Sequence, residues 1–327
     1  MTARPRTAPT LTPTIPSEND VGTVSYGRAH GTAPTLMTTT TASRIRHIPV
    51  TVADVIQETA DTVTLLLDAG DFPRDYKAGQ YVSIDPHQFR AIAGYTAQFE
   101  EQKGRKEPPR AYSMCSSPDE PYLAITVKEE YFERGKTKYA PLLSPFLVHH
   151  QLKGAKLEVT GYAGAYHLSD NVEQMTRHIV HLTAGSGSVP NVSILKWALA
   201  HLPSVKHTFI YSNKTWNDII FRDELARLER AHPDRLRVVH TITREPEGFT
   251  YSDGVRKGRL SASLLTELVP DLHASIVYAC GPAVTVWEKR EAKAAGIAPT
   301  PRFMESVMDA LHQLQMPKER IKEEAFG

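Results

Sequence analysis

Cysteine is nearly absent: Cys115 and Cys280 are the two thiols in 327 residues, and they lie far apart in sequence. Two thiols cannot supply the four-cysteine ligand set of an iron–sulfur cluster. They give no disulfide framework either, so a reducing, cytoplasmic setting is expected. No apolar run approaches the roughly 20 residues of a membrane span, so no membrane association is expected. Charge of one sign is also missing. Lys and Arg number 38 against 37 Asp and Glu, a net charge of +1, which offers no argument for nucleic acid or an anionic surface as partner. What is present is 41% hydrophobic residues, which suits two ordinary domains with real cores.

Residues 1–43 are rich in Thr, Pro and Ala and end in the run Thr38–Thr41. Large apolar residues are scarce there and show no period. Such a segment cannot bury enough surface to offset its ordering entropy, so a disordered tail is expected. Arg4, Arg6 and Arg28 with few acids give it a faint likeness to a transit peptide, but no amphipathic helix is visible. A variable leader or an upstream start codon is the preferred reading.

Residues 44–170 read as the first domain. Strand patterns run from Arg46, over Thr62–Asp68 and from Tyr81, with Gly, Pro and Asp between them. Short strands punctuated in this way predict a small antiparallel barrel. Residues 87–109 break the pattern with Gly94, a charged run and Pro108–Pro109. They read as a solvated excursion with one helical turn, placed to cover a cofactor or meet a partner. Arg110-Ala-Tyr112-Ser113 then opens a strand. Alternate side chains point to opposite faces, so Arg110 and Tyr112 share one. An Arg fork suits a phosphate, a Tyr ring suits a flat heterocycle, and the Ser113 hydroxyl suits a ring nitrogen. This set could hold a flavin nucleotide. Val127 and Lys128, at the end of the next apolar run, are counted with it. Ser144-Pro145 reads as a helix N-cap followed by the first helical residue, whose free N–H groups suit a second phosphate.

Residues 171–327 read as a doubly wound α/β domain. The apolar strand from His178 meets Gly185-x-Gly187-x-x-Pro190 and then a helical period. Strand, glycine turn and helix is the layout that sets a pyrophosphate on backbone amides. At the end of the next strand stand Ser212, Asn213 and Lys214, with no acid until Asp218. An acid there would favour a free ribose 2′-hydroxyl, so these residues lean towards NADPH over NADH. A helix is expected from Asp218. Ser275–Pro282 reads as the last parallel strand, with Cys280, Gly281 and Pro282 in the crevice near Gly185. The stretch 284–301 reads as a solvated extension.

The ordered set Arg110-x-Tyr112-Ser113, Gly185-x-Gly187-x-x-Pro190, Cys280-Gly281-Pro282 and Glu324-x-Phe326 resembles the ferredoxin–NADP reductase superfamily. Its flavour is that of oxygenase reductase components and the flavohaemoglobin reductase module. The resemblance implies an FAD-binding barrel followed by an NAD(P)-binding domain, with hydride passing from NAD(P)H to flavin and single electrons passing onward. Arg110 would contact a flavin phosphate, Tyr112 would stack on the isoalloxazine and Ser113 would approach its N5. Cys280 would lie beside the nicotinamide, and Phe326 would cover the other flavin face with Glu324 close by. With two cysteines and no appended iron–sulfur domain expected, the acceptor would be a separate iron–sulfur or haem protein, and the reductase a monomer. A free-standing reductase of small acceptors and a flavin electron-transfer subunit without its own turnover stay open.

Overall fold

In the computed structural model the described residues are 46–132 and 139–326, so the expected disordered tail lies outside them. Residues Arg44–Gly327 form one compact unit. The chain opens with β1 (Arg46–Thr59), β2 (Thr62–Asp68) and β3 (Tyr81–Ile84), followed by α1 (Ala93–Lys103). Next come β4 (Arg110–Ser113), β5 (Leu123–Lys128), α2 (Leu143–His149) and β6 (Lys156–Ala163). These strands form one antiparallel sheet in the order β4-β3-β6-β1-β2-β5. Ile48, Val50 and Val52 are buried while His47 and Pro49 are exposed, the alternation of a sheet with one wet face. The sheet closes on itself just past β4. Met114 bridges Ile125 of β5, and the Cys115 N–H donates to the Ala124 carbonyl at 2.8 Å. The interior is filled by Ile48, Leu65, Val82, Met114, Ile125 and their neighbours. This is the expected antiparallel barrel.

After the short α3 (Val172–Met175) come β7 (His178–Ala184), α4 (Ser188–His201), β8 (Lys206–Asn213), α5 (Arg222–Ala231) and β9 (Leu236–Ile242). The chain then runs through β10 (Val255–Lys257), α6 (Ala262–Leu268), β11 (Ile276–Pro282), α7 (Val286–Ala294), α8 (Phe303–Gln313) and β12 (Ile321–Phe326). The second sheet is parallel throughout, in the order β10-β9-β8-β7-β11-β12. Helices cover both faces, so β7 is buried along its whole length. From β7 the chain steps outward one way through β8, β9 and β10, and the other way through β11 and β12. The reversal of strand order therefore falls between β7 and β11, where an open α/β sheet forms its ligand crevice.

Four expectations are revised here. The excursion 87–109 carries an 11-residue helix, α1, rather than a single turn; Gly104 in the left-handed conformation ends it. β11 is not the last strand, because the terminal residues add β12 beside it. The helix expected from Asp218 starts at Arg222; Trp216–Asp218 form a 3₁₀ turn capped by Thr215. The extension after Pro282 is itself helical, with Thr285 and Glu288 forming a capping box at the start of α7.

Candidate functional site

The glycine turn after β7 is shaped by contact with β11. A Cβ on Gly187 would lie 2.2 Å from the Cys280 carbonyl oxygen and 2.7 Å from Gly281 Cα, so no side chain fits. Gly185 has φ +53 with nothing within 4 Å of its missing Cβ; its requirement is conformational rather than spatial. The Gly185 carbonyl accepts from the Tyr211 hydroxyl at 2.8 Å, and Ser188 Oγ lies 2.9 Å from both groups. Pro190 is the third residue of α4, inside the first turn, where its missing N–H costs nothing.

β11 carries Cys280, which is fully buried, and burial holds its thiol well above the usual range. In register, Cys280 faces Thr183 on one side and Glu324 on the other, while Pro282 faces Phe326. Burial pushes the Glu324 carboxyl up to about 7, and its Oε2 has no hydrogen-bond partner among the described residues. Phe326 is half-buried; its carbonyl accepts from the Ala283 N–H at 3.1 Å. It packs against the cluster that holds Ala78, Tyr166 and Cys280, which joins the loops before β3 and after β6 to β7 and β11.

On the barrel side, Arg110 pairs with Ile84, Tyr112 with Val82 and Ser113 with Tyr81. Tyr112 packs partly against the barrel core, and burial raises its hydroxyl pKa, so it is neutral. Ser113 is buried. The Arg110 guanidinium donates to Glu107 at 2.8 Å and is 42% exposed. The same segment then reaches α4: the Ser193 hydroxyl donates to the Ser116 carbonyl at 2.7 Å, and the Gly79 N–H donates to Ser193 Oγ at 3.3 Å. The segment just past the Arg-x-Tyr-Ser strand and the helix behind the glycine turn are thus hydrogen-bonded to each other.

Residues 182–286 match the Oxidoreductase NAD-binding domain family. The ferredoxin reductase component of 3-ketosteroid-9-alpha-monooxygenase from Mycobacterium tuberculosis is 29% identical over 277 residues, 84% of this chain and 64% of that protein. The chain thus spans just under two thirds of that relative's length. Among solved structures, Amycolatopsis cytochrome P450 reductase GcoB superposes with a TM-score of 0.63 at 22% identity, over 86% of this chain and 70% of that one. The flavohaem-like FAD/NAD binding domain of nitric oxide dioxygenase from Vibrio cholerae gives 0.62 at 22% identity, over 86% and 98%. The chain shares the two-domain fold of these proteins.

Within that fold, Gly187 meets Cys280 and Gly281 between β7 and β11, Gly185 and Pro190 lie in the turn and helix that follow β7, and Glu324 and Phe326 lie on β12 in register with Cys280 and Pro282. Ser144 does not cap α2. The helix begins at Leu143 with Leu142 at the cap position, which puts Ser144 and Pro145 second and third. The Ser144 oxygen instead accepts the Glu130 N–H at 3.1 Å. Proline tolerates any first-turn position, so Ser-Pro alone leaves the helix start ambiguous by a residue or two. Val127 is buried in the barrel core, and the Lys128 ammonium donates to Asp61 at the β1–β2 turn. Ser212 Oγ lies 2.6 Å from Thr241 Oγ1, Lys214 is exposed, and the buried Asn213 side-chain nitrogen has no partner among the described residues.

Two features escaped sequence reasoning. Beyond β8 and β9, Trp216 packs edge-on to His240 with Arg222 over its ring at 5.7 Å, and Phe249 and Tyr251 extend the aromatic row. Inside the domain, the Asn191 side chain donates to the Tyr166 hydroxyl at 2.9 Å and touches His181 Nδ1 at 2.9 Å. His181 Nε2 lies 3.2 Å from His207 Nδ1. The histidines at apolar strand positions were the available signal; their partners come from α4 and from the segment after β6. Among the described residues no helix is long and apolar enough to cross a membrane.

Proposed function

We propose that this chain is a flavin-dependent NAD(P)H oxidoreductase that passes electrons to a separate protein acceptor of the iron–sulfur or haem class. The carrying observation is the crevice between β7 and β11. A side-chain-free cradle at Gly187 and a buried thiol at Cys280 meet there, with Glu324 in register with Cys280 and Phe326 with Pro282, and Ser193 of the following helix is hydrogen-bonded to Ser116, just past the strand that bears Tyr112. We place the FAD-binding barrel at 44–170 and the NAD(P)-binding domain at 171–327.

The residues present fit both groups. The free nitrogens of the Arg110 guanidinium suit a phosphate, the half-buried Tyr112 ring a stacked isoalloxazine, and Ser113 its polar edge. Gly185, Gly187 and the first turn of α4 suit a pyrophosphate. Ser212, Asn213 and Lys214 form the ribose end, with the Trp216 row offering a surface for adenine; Lys214 carries the leaning towards NADPH. When bound, the nicotinamide supplies hydride and the flavin splits it into single electrons. Cys280 fills space beside the nicotinamide as a neutral thiol. Glu324 is poised to hold or release a proton near neutral pH. The Phe326 ring keeps water from the contact between the two cofactors.

The test is the visible spectrum of purified full-length protein before and after anaerobic addition of NADPH, then NADH. A two-peaked flavin band that bleaches supports both sites, and the faster nucleotide identifies the donor. A flavin band that neither bleaches points to an electron-transfer subunit without turnover. A colourless protein that also fails to bind added FAD ends the proposal. Rapid turnover with ferric chelates, and none with ferredoxin, Rieske or haem proteins, would remove the separate protein acceptor.

A further inference from the structure

The helical insertion between β3 and β4 reaches Arg110 through a nearly sealed carboxylate. Glu107 is 1% exposed in its side chain, yet it is charged on both sides. Its Oε1 accepts from Lys103 Nζ at 2.6 Å and its Oε2 from Arg110 Nη2 at 2.8 Å. Its backbone N–H donates to Glu100 Oε1 at 2.8 Å, and that oxygen also lies 2.8 Å from His87 Nε2. Lys103 is itself only 9% exposed in its side chain and sits over the Phe99 and Tyr139 rings at 5.0 and 4.8 Å. Pro108 and Pro109 fill the gap between Glu107 and Arg110, and their locked φ angles stiffen the link.

We propose that Lys103 and Glu107 are positioning residues for Arg110: Glu107 fixes the guanidinium, and Lys103 cancels the charge of Glu107 so that Arg110 presents a free cation to a flavin-nucleotide phosphate. The inference rests on the flavin reading of Arg110 given above. Three facts favour positioning over a direct role. Glu107 and Lys103 are too enclosed to meet a ligand, whereas Arg110 is 42% exposed. Glu107 takes one guanidinium nitrogen, and a planar fork held at one corner keeps its other donors aimed. The charges also decide it. Arg110 with Glu107 alone would be a self-neutralised pair with little attraction for an anion, while two cations about one carboxylate leave a net positive charge at the exposed end.

The test uses the full chain freed of flavin and titrated with FAD and with riboflavin, which has no phosphate, by flavin fluorescence. Lys103→Met should weaken FAD about tenfold or more while leaving riboflavin binding unchanged, and Lys103→Arg should stay within about threefold of wild type. Removing the carboxylate as well, in Lys103→Met/Glu107→Gln, should recover most of the lost FAD affinity. A purely structural lysine gives no such rescue, and the double variant lacks the buried unpaired acid that could unfold the single one. In an Arg110→Ala background Lys103→Met should have no further effect on FAD. If Arg110→Ala weakens FAD but Lys103→Met does not, or if the double variant is as weak as the single one, the positioning role is overturned and the flavin site stands. If wild type does not bind FAD, both fall.

Discussion

Glu324 faces Cys280 across the last two parallel strands, with one carboxylate oxygen buried and without a partner among the described residues. Burial raises its carboxyl from an ordinary 4.5 to about 7. A raised folded-state pKa means the folded chain holds an extra proton between those values. Its contribution to stability is complete below about pH 4.5 and is lost as pH rises through about 7. Glu324→Gln mimics the protonated form and should remove that loss. Thermal melts of both proteins from pH 5 to 8 should therefore diverge, the variant gaining on wild type towards alkaline pH. Parallel curves would show that Glu324 is ordinarily solvated.

Two glycines in one turn should fail in different ways. At Gly185 the left-handed φ of +53 costs an alanine roughly 1 kcal/mol, with no atom in its way. At Gly187 the new Cβ meets the Cys280 backbone at 2.2 Å, and neither strand nor turn can retreat without breaking the β7–β11 register. Gly187→Ala should therefore cost on the order of 3 kcal/mol or more, in the overpacking range. Urea midpoints of the two variants measure this directly. Equal losses would mean the turn yields away from Cys280.

How much could be read from the sequence depended on where each residue finds its partner. β2 and β7 were legible to the residue, because a short run dominated by apolar and β-branched residues and bounded by turn residues has few other solutions. The glycine turn and the crevice followed from strand–turn–helix order alone. α1 was not legible as three turns. Its one buried residue is Thr96, so no apolar stripe marks it, and it is held instead by the ion pairs of Lys103 and Glu107 and of His87 and Glu100. β12 was missed because Ile321–Phe326 is short and charged, and its pairing partner lies far back in the chain. The Ser144 cap failed for a similar reason: its oxygen is taken by Glu130, which no local rule names.

His240 sets the acid side. Its ring is buried between Tyr211 and Trp216, and its Nδ1 has no partner among the described residues. Burial lowers its pKa from 6.5 to about 4. A depressed folded-state value means that the unfolded chain takes up the proton first, so stability is lost as pH falls from about 6.5 towards 4. His240→Phe keeps the ring packing and removes the proton. It should be near neutral at pH 7 and more stable than wild type by roughly 2 kcal/mol near pH 4. Chemical denaturation at pH 7, 5.5 and 4 checks the trend, and a constant difference across the three would rule it out.

Phe326 is the last described side chain and touches both halves of the proposed chemistry. Its backbone is fixed by the register with Pro282 and by the bond from Ala283, so substitution changes the ring and little else. The ring packs against the cluster that holds Tyr166 and Cys280; on the reading proposed above, a nicotinamide would enter past it to reach a flavin stacked on Tyr112. Phe326→Ala should open that entry. Removing a steric barrier changes access most for the donor that wild type disfavours, so the ratio of flavin reduction rates with NADPH and NADH should move towards one, by about fivefold or more. Stopped-flow bleaching of the flavin band with each nucleotide reads the ratio. Tyr112→Ala separates the two rings: it should release flavin on gel filtration, which Phe326→Ala should not. A Phe326 variant that kept its flavin and showed an unchanged ratio would place the ring outside the path between the cofactors.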